Sequence, residues 1–233
     1  MPTVVLTRER GKNAALRARL EALGIAAFEL PLLAHAPGPD QDRLEAALGE
    51  AWDWVVVTSP EGARVLLEAW VAAGRPELRV AAVGTGTARV LEDAGLRPGF
   101  VPSRAKGAAL AQELPGAGRV LYPASALADA TLEAGLGARG FRVVRLNVYT
   151  TLPVEVPPEA ARRARQADAV AFASPSAVRA WVRAVGGDLP AACIGETTAR
   201  AARDAGFSRV FYPERPGLEG WVRSVLQAVG HMT

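Results

Sequence analysis

The chain is 233 residues long and half apolar, with 27 basic against 24 acidic residues for a net charge of +3. That is enough apolar material for one or two ordinary cores, and the absence of any block of like charges gives no basis for a nucleic-acid tail. No apolar stretch approaches the roughly 20 residues of a membrane span, and no signal-type region precedes the first strand pattern, so a cytoplasmic protein is expected.

Aliphatic or β-branched runs at 3–6, 54–57, 80–83, 119–122, 169–173, 191–194 and 209–212 read as buried parallel strands. Helical spacing fills the gaps at 14–23, 60–73, 87–94, 108–114, 174–185, 198–205 and 218–229, often with glycine just beyond the end. Strands alternating with helices predict α/β architecture with doubly wound parallel sheets. Cys193 stands alone in an apolar run, so neither a disulfide framework nor a thiol cluster for a metal is expected. His35 and His231 lie far apart, with no second histidine at ligand spacing, which argues against zinc and against a histidine triad. Of the 27 basic residues 25 are arginine. That suits bidentate binding of carboxylates or phosphates, and equally a coding or thermal bias.

The chain says nearly the same thing twice. Val57-Thr58-Ser59-Pro60 is echoed by Phe172-Ala173-Ser174-Pro175, Val83-Gly84 by Ile194-Gly195, Asp93-Ala94-Gly95 by Asp204-Ala205-Gly206, and Val101-Pro102 by Tyr212-Pro213, the last three 111 residues apart. A repeat of that length is a domain. The opening segment, 3–35, finds its match in 119–151 and not at the start of the second copy, where Val5-Leu6 aligns with Val120-Leu121 and Gly24 with Gly140. A chain that begins domain 1, leaves to build all of domain 2 and returns explains this order. Domain 1 is then 1–36 with 152–233, and domain 2 is 37–151. The crossings fall at the proline-rich stretches 36–39 and 152–158. Two similar domains leave a cleft between them, a common place for small ligands.

Ser59 and Ser174 each follow a strand and precede a proline, placing them at a helix N-cap with proline at the first helical position. Such turns lie at the carboxyl ends of parallel strands, where open α/β sheets bind ligands and helix N–H groups meet anions. Capping alone and capping with ligand binding both fit. The next strand-to-helix turns carry Gly84, Thr85 and Thr87 in one copy, and Gly195, Thr197 and Thr198 in the other, with glycine for close approach and hydroxyls to donate. A Walker loop is absent. Gly135-Leu136-Gly137-Ala138-Arg139-Gly140 spells GxGxxG, but it ends a helix and precedes a strand, the reverse of the dinucleotide context. Tyr149 ends a strand where the return crossing begins. Its phenol, with an ordinary pKa of about 10, is either a weak acid facing a ligand or a packed strand-end side chain. The residues alone describe a cofactor-free cleft protein with an anionic ligand.

Over essentially its whole length the chain resembles the uroporphyrinogen-III synthase family. The resemblance rests on Val5-Leu6-Thr7-Arg8 followed by Leu20, Gly24 and Pro31, on Val57-Thr58-Ser59-Pro60 with Ala63, on Val83-Gly84 with Thr87-Ala88, on Tyr122-Pro123-Ala124-Ser125, on Val148-Tyr149 with Thr151, and on Ser174-Pro175-Ser176-Ala177-Val178 with Ile194-Gly195 and Thr197-Thr198-Ala199. It implies two flavodoxin-like domains joined by a two-stranded linker, with domain 1 discontinuous. It implies a cytoplasmic lyase of porphyrin and haem biosynthesis, cofactor-independent and expected as a monomer, whose partner is a small-molecule substrate and neither nucleic acid nor membrane. The substrate is the linear tetrapyrrole hydroxymethylbilane, a polycarboxylate, which is cyclised with inversion of ring D and loss of water. By the same resemblance Tyr149 is the acid for the departing hydroxyl, and Arg8, Ser59, Thr87, Ser125, Ser174, Thr197 and Thr198 surround the substrate. Asp129 stands where many relatives have an arginine, which weakens the case for a carboxylate clamp there. The rival readings are a hinged binding protein for an anionic tetrapyrrole or other small anion, and a nucleotide-sugar transferase, which the missing diphosphate loop disfavours.

Overall fold

The computed structural model describes residues 1–230; His231 lies outside them. In chain order the elements are β1 (Thr3–Leu6), α1 (Ala14–Glu21), β2 (Ala26–Glu29), β3 (Leu33–Pro37), a 3-10 turn (Gln41–Arg43) running into α2 (Leu44–Ala47), β4 (Trp54–Val57), α3 (Pro60–Ala72), β5 (Val80–Ala82), α4 (Thr85–Asp93), α5 (Gly107–Glu113), β6 (Gly118–Ser125), α6 (Thr131–Ala138), β7 (Phe141–Pro153), α7 (Pro158–Arg165), β8 (Ala169–Phe172), α8 (Pro175–Ala184), β9 (Ala191–Cys193), α9 (Glu196–Asp204), β10 (Val210–Phe211) and α10 (Leu218–Ala228). They divide into two compact units, Met1–Ala34 with Leu152–Thr233, and His35–Thr151.

The first unit carries a five-stranded sheet in the order β10-β9-β8-β1-β2, every neighbouring pair parallel. Counted within the unit this is 2-1-3-4-5, the flavodoxin-like winding. Alternate residues of each strand face opposite helix layers, as the period of two requires. Val5, Val170 and Phe172 pack with Trp181 of α8 and Ala199 and Ala202 of α9, whereas Val4, Leu6 and Ala171 pack with Leu16 and Leu20 of α1 and Trp221 and Val225 of α10.

The second unit orders its sheet β3-β7-β6-β4-β5, with β4, β5, β6 and β7 parallel. Val55 and Val57 face Leu66, Trp70 and Leu91; Trp54 and Val56 face Leu110, Leu132 and Leu136. The outgoing and returning crossings are strands β3 and β7. Their surroundings are joined by the bonds Val154 N–H to Leu32 O, Gly38 N–H to Val148 O and Asp40 N–H to Asn147 O. Rising numbers on one segment meet falling numbers on the other, so the ribbon is antiparallel.

The repeat has a structural counterpart. Asp53, just before β4, accepts the Arg119 N–H at 2.7 Å, and Asp168, just before β8, accepts the Thr3 N–H at 2.7 Å. Each carboxylate thus pins the start of the adjacent strand, and the pairs match β4 with β8 and β6 with β1.

Three sequence expectations are refined. Helices α4 and α9 begin at Thr85 and Glu196, two residues before the expected starts, because extended Gly84 and Gly195 act as N-caps whose carbonyls accept the N–H groups of Ala88 and Ala199. Strand β6 runs on through Pro123 to Ser125; β4 pairs no further than Leu121, so the proline has β7 as its ladder neighbour, an edge-like position where a missing N–H is tolerated. The proline-rich return crossing ends in α7, with Pro158 at its first position and Ala161 and Ala164 buried one turn apart.

Gly38 lies against β7 so closely that an added Cβ would meet the Asn147 carbonyl oxygen and fall 2.6 Å from the Tyr149 nitrogen. Neither backbone atom can move aside as a flexible side chain would. Gly38→Ala is expected to destabilise the protein by about 1–3 kcal/mol or more, read as a lower midpoint in urea. An unchanged midpoint would show that the ribbon has room for a side chain.

Candidate active site

The second unit gathers polar side chains at the carboxyl ends of β4 and β6 and on the adjoining part of β7, which runs on to Pro153 so that Tyr149 lies within the strand and does not end it. Ser59 is the extended N-cap of α3, and its Oγ accepts the Gly62 N–H at 2.9 Å, with Pro60 at the first helical position. The same Oγ lies 2.8 Å from the hydroxyl of Tyr149, which is 8% exposed. Glycine at position 62 keeps this space open, since a Cβ there would sit 3.2 Å from Ser59 Oγ and 3.8 Å from Tyr149 Cε1. Tyr149 is opposite Ser125 where the β6–β7 register shifts, a bulge that re-aims the side chains beyond it. The Tyr149 carbonyl takes the Ala126 N–H at 2.8 Å, which ties the loop after β6 to β7.

His35, on the outgoing strand, completes this group. Its ring meets that of Tyr149 edge-on, with centroids 5.5 Å apart and planes at 88°. Nδ1 is 3.1 Å from Thr151 Oγ1, and Nε2 is 3.8 Å from Glu61 Oε2, a carboxylate that also takes Arg64 at 2.9 Å. Sequence reasoning passed over His35 because it sought a second histidine. The signal that would have found it is pairing of the two crossings.

A second phenol stands beside the first. Tyr122 Oη is 3.2 Å from Thr58 Oγ1, so of two consecutive residues Thr58 holds a tyrosine from the neighbouring β6 and Ser59 one from β7, a strand further on. Burial raises the Tyr122 pKa above its ordinary 10.0, against the opposing pull of the Thr58 hydrogen bond and the Arg145 charge. A cavity of about 350 Å³ is lined by Thr58, Tyr122, Lys106, Asp129 and Thr131 among others.

Arg145 of β7 lies under the loop after β6. It donates to the carbonyls of Ser125 and Ala128, each at 2.9 Å, and to Glu133 at 2.8 Å. An arginine therefore serves this loop from a strand, although the loop itself carries Asp129. That carboxylate accepts the Thr131 N–H at 2.9 Å, and hydrogen bonding to Thr131 holds its pKa below the usual range. Ser125 Oγ accepts the Leu127 N–H at 3.1 Å. Thr87, in the first turn of α4, is 4% exposed, whereas Thr85 lies at the surface.

The first unit brings Arg8, Ser174, Thr197 and Thr198 to the carboxyl ends of β1, β8 and β9. Ser174 caps α8, accepting the Ala177 N–H at 3.2 Å. Thr197 is exposed in the first turn of α9 and Thr198 is 3% exposed beneath it. Arg8 is partly buried, and its carbonyl accepts from Asn13 Nδ2 at 3.1 Å. Cys193 is buried in β9 with its thiol pKa pushed up to about 12 by burial, which makes it a poor nucleophile. Among the described residues no three His, Cys, Asp or Glu side chains converge at metal-ligand spacing, and no helix is long and apolar enough to cross a membrane.

Comparison with known proteins gives a consistent result. The family model described as uroporphyrinogen-III synthase HemD matches residues 14–223. The chain is 50% identical to the chloroplastic uroporphyrinogen-III synthase of Oryza sativa subsp. japonica, over 98% of this chain and 81% of that protein. A crystal structure of a mutant uroporphyrinogen III synthase from the extreme thermophile Thermus thermophilus is similar with a TM-score of 0.66 and 26% identity, covering 100% of both chains. The uroporphyrinogen-III synthetase of Helicobacter pylori 26695, at 18% identity and a TM-score of 0.70 over 97% of this chain and 99% of that one, shares the fold.

The raised Tyr122 pKa has a consequence for stability. A value higher in the folded than in the unfolded chain means that its contribution is complete below pH 10 and is lost as pH rises through the folded value. The melting temperature of the parent is expected to fall more steeply between about pH 9 and 11 than that of Tyr122→Phe. Parallel curves would show that this phenol is not linked to folding.

Proposed function

This chain belongs to the uroporphyrinogen-III synthase family, and on that premise we propose how its residues serve the cyclisation of hydroxymethylbilane to uroporphyrinogen III. The reaction is a cyclising loss of water, the chemistry of a lyase. The substrate is an electron-rich linear tetrapyrrole, so once its terminal hydroxyl has left, ring closure proceeds through an azafulvene and a spiro intermediate that invert ring D. What the protein must supply is a proton for the departing hydroxyl and a bound shape that brings ring D to the substituted carbon.

Tyr149 is proposed as the acid. The observation that carries this reading is its hydroxyl held 2.8 Å from Ser59 Oγ at the positive end of α3. A phenol so placed gives its proton to the leaving oxygen and regains one when the closed ring loses its extra hydrogen.

The polycarboxylate side of the substrate suits the helix ends. Helices α4 and α9 have glycine caps without a side-chain hydrogen bond, so their first N–H groups remain available to anions. Thr197 and Arg8 are proposed to meet carboxylates directly, and Ser125 and Ser174 to line the bound chain. The buried Thr87 and Thr198 are proposed to act through the turns they stabilise. Arginine supplies most of the positive charge. A monomer in the cytoplasm, working without a cofactor, completes the reading. Its mass in solution is open to light scattering. The binding-protein alternative is not favoured by a family of enzymes.

The decisive assay supplies freshly made hydroxymethylbilane and separates the oxidised products by isomer. Type III product is expected from the parent protein, and the spontaneous type I isomer alone would overturn the reading. Tyr149→Phe is expected to slow turnover by about a hundredfold with an unchanged circular-dichroism spectrum. A rate equal to the parent's would remove Tyr149 as the acid.

A further inference from the structure

Ser59 and Ser174 occupy equivalent places in the two copies of one motif, and one side-chain hydrogen bond sets them apart. Both cap a helix by accepting the N–H of the third residue on, Gly62 and Ala177. Ser59 alone also meets a phenol. The residue before it differs in the same sense, Thr58 holding Tyr122 where the first unit has Ala173. Capping therefore requires no tyrosine, and the chain contains its own control.

Either hydroxyl can donate in the Ser59–Tyr149 bond, and counting hydrogens favours Ser59 as the donor. Ser59 has one hydrogen to give, and its oxygen already receives the Gly62 N–H. Among the described residues the Tyr149 oxygen is the acceptor within hydrogen-bond distance of that hydroxyl. Were the phenol to donate instead, the serine hydrogen would have no acceptor among those residues. Donation by Ser59 gives a chain running from Gly62 N–H to Ser59 O–H to the Tyr149 oxygen. Each bond in it polarises the next, and the whole starts at the positive end of α3.

We propose that Ser59 is a positioning residue that donates to the Tyr149 oxygen, so that the phenol's own hydrogen is directed away from the serine and can pass to the departing hydroxyl of the substrate. This rests on the reading of Tyr149 as the acid. In the step itself the Tyr149 O–H bond breaks, its proton joins the hydroxyl that leaves as water, and the electron pair stays on the phenolate oxygen. The Ser59 hydrogen stabilises that oxygen until a proton from the ring-closed product restores the phenol. Ser59 is then set apart from the residues proposed to bind carboxylates.

Three substitutions separate this role from capping. Ser59→Asp keeps a good N-cap but has no hydrogen to give at neutral pH, and it takes the phenol's hydrogen for itself. Its kcat is expected to fall at least about tenfold, with KM within about twofold and the melting temperature close to the parent's. Ser59→Thr, which retains both bonds, is expected to recover most of the rate. Combined with Tyr149→Phe, Ser59→Asp is expected to add no further loss. Ser59→Ala, compared in the same two backgrounds, serves if the aspartate variant fails to fold. A parental rate in Ser59→Asp beside a slow Tyr149→Phe would overturn the positioning role alone. An equal further loss in the Tyr149→Phe background would show that Ser59 acts without the tyrosine. A parental rate in Tyr149→Phe would remove the acid reading and this inference with it.

Discussion

The pairing of the two crossing segments is the constraint on which the rest depends. One strand leaves the first unit and one returns to it, and their backbones bond to each other in antiparallel register. The return strand is also the parallel neighbour of β6. Tyr149 therefore has a hydrogen-bonded segment on either side, and its ring has little freedom to leave the carboxyl edge. The close approach at Gly38 is the local expression of that packing.

On this frame the two similar units share their backbone devices and differ in their side chains. Both copies pin a strand start with an aspartate, cap one helix with serine followed by proline, and cap the next with an extended glycine. These devices serve backbone groups that any such unit must satisfy. The differences lie in polar side chains near the carboxyl ends of the sheets: Tyr122, Tyr149, Thr58 and His35 in the second unit, against Arg8 and Thr197 in the first. The common devices support the fold, and the proposed chemistry is drawn from the departures from them.

The arginines illustrate why composition is a weak guide to ligands. Several are occupied within the protein. Arg79, Arg119 and Arg163 lie over the rings of Trp54, Trp52 and Phe28 at 4.0, 4.2 and 4.2 Å, and Arg145 is spent on two carbonyls, Asn147 and Glu133. Such contacts use the planar guanidinium for packing as much as for charge. An arginine-rich chain is thus compatible with an anionic substrate without demonstrating one.

The amino-acid sequence by itself determined the alternation of strands and helices, the serine caps, and the permuted repeat in which 3–35 corresponds to 119–151. Each of these depends on residues close together in the chain or on direct comparison of one stretch with another. It also singled out Ser59 and Tyr149, though as separate members of the family's motifs. Their contact joins residues 90 apart, and that of His35 with Thr151 joins residues 116 apart. No local pattern encodes such distances, because they follow from sheet order, strand register and the β6–β7 bulge. The same holds for burial. Thr87 and Thr198 look like exposed turn hydroxyls until the glycine caps start their helices two residues early and turn both side chains inward. Local chemistry chose the elements, while the tertiary structure decided which polar groups meet, because hydrogen bonds between distant residues exist only once the backbone ladders have set their spacing.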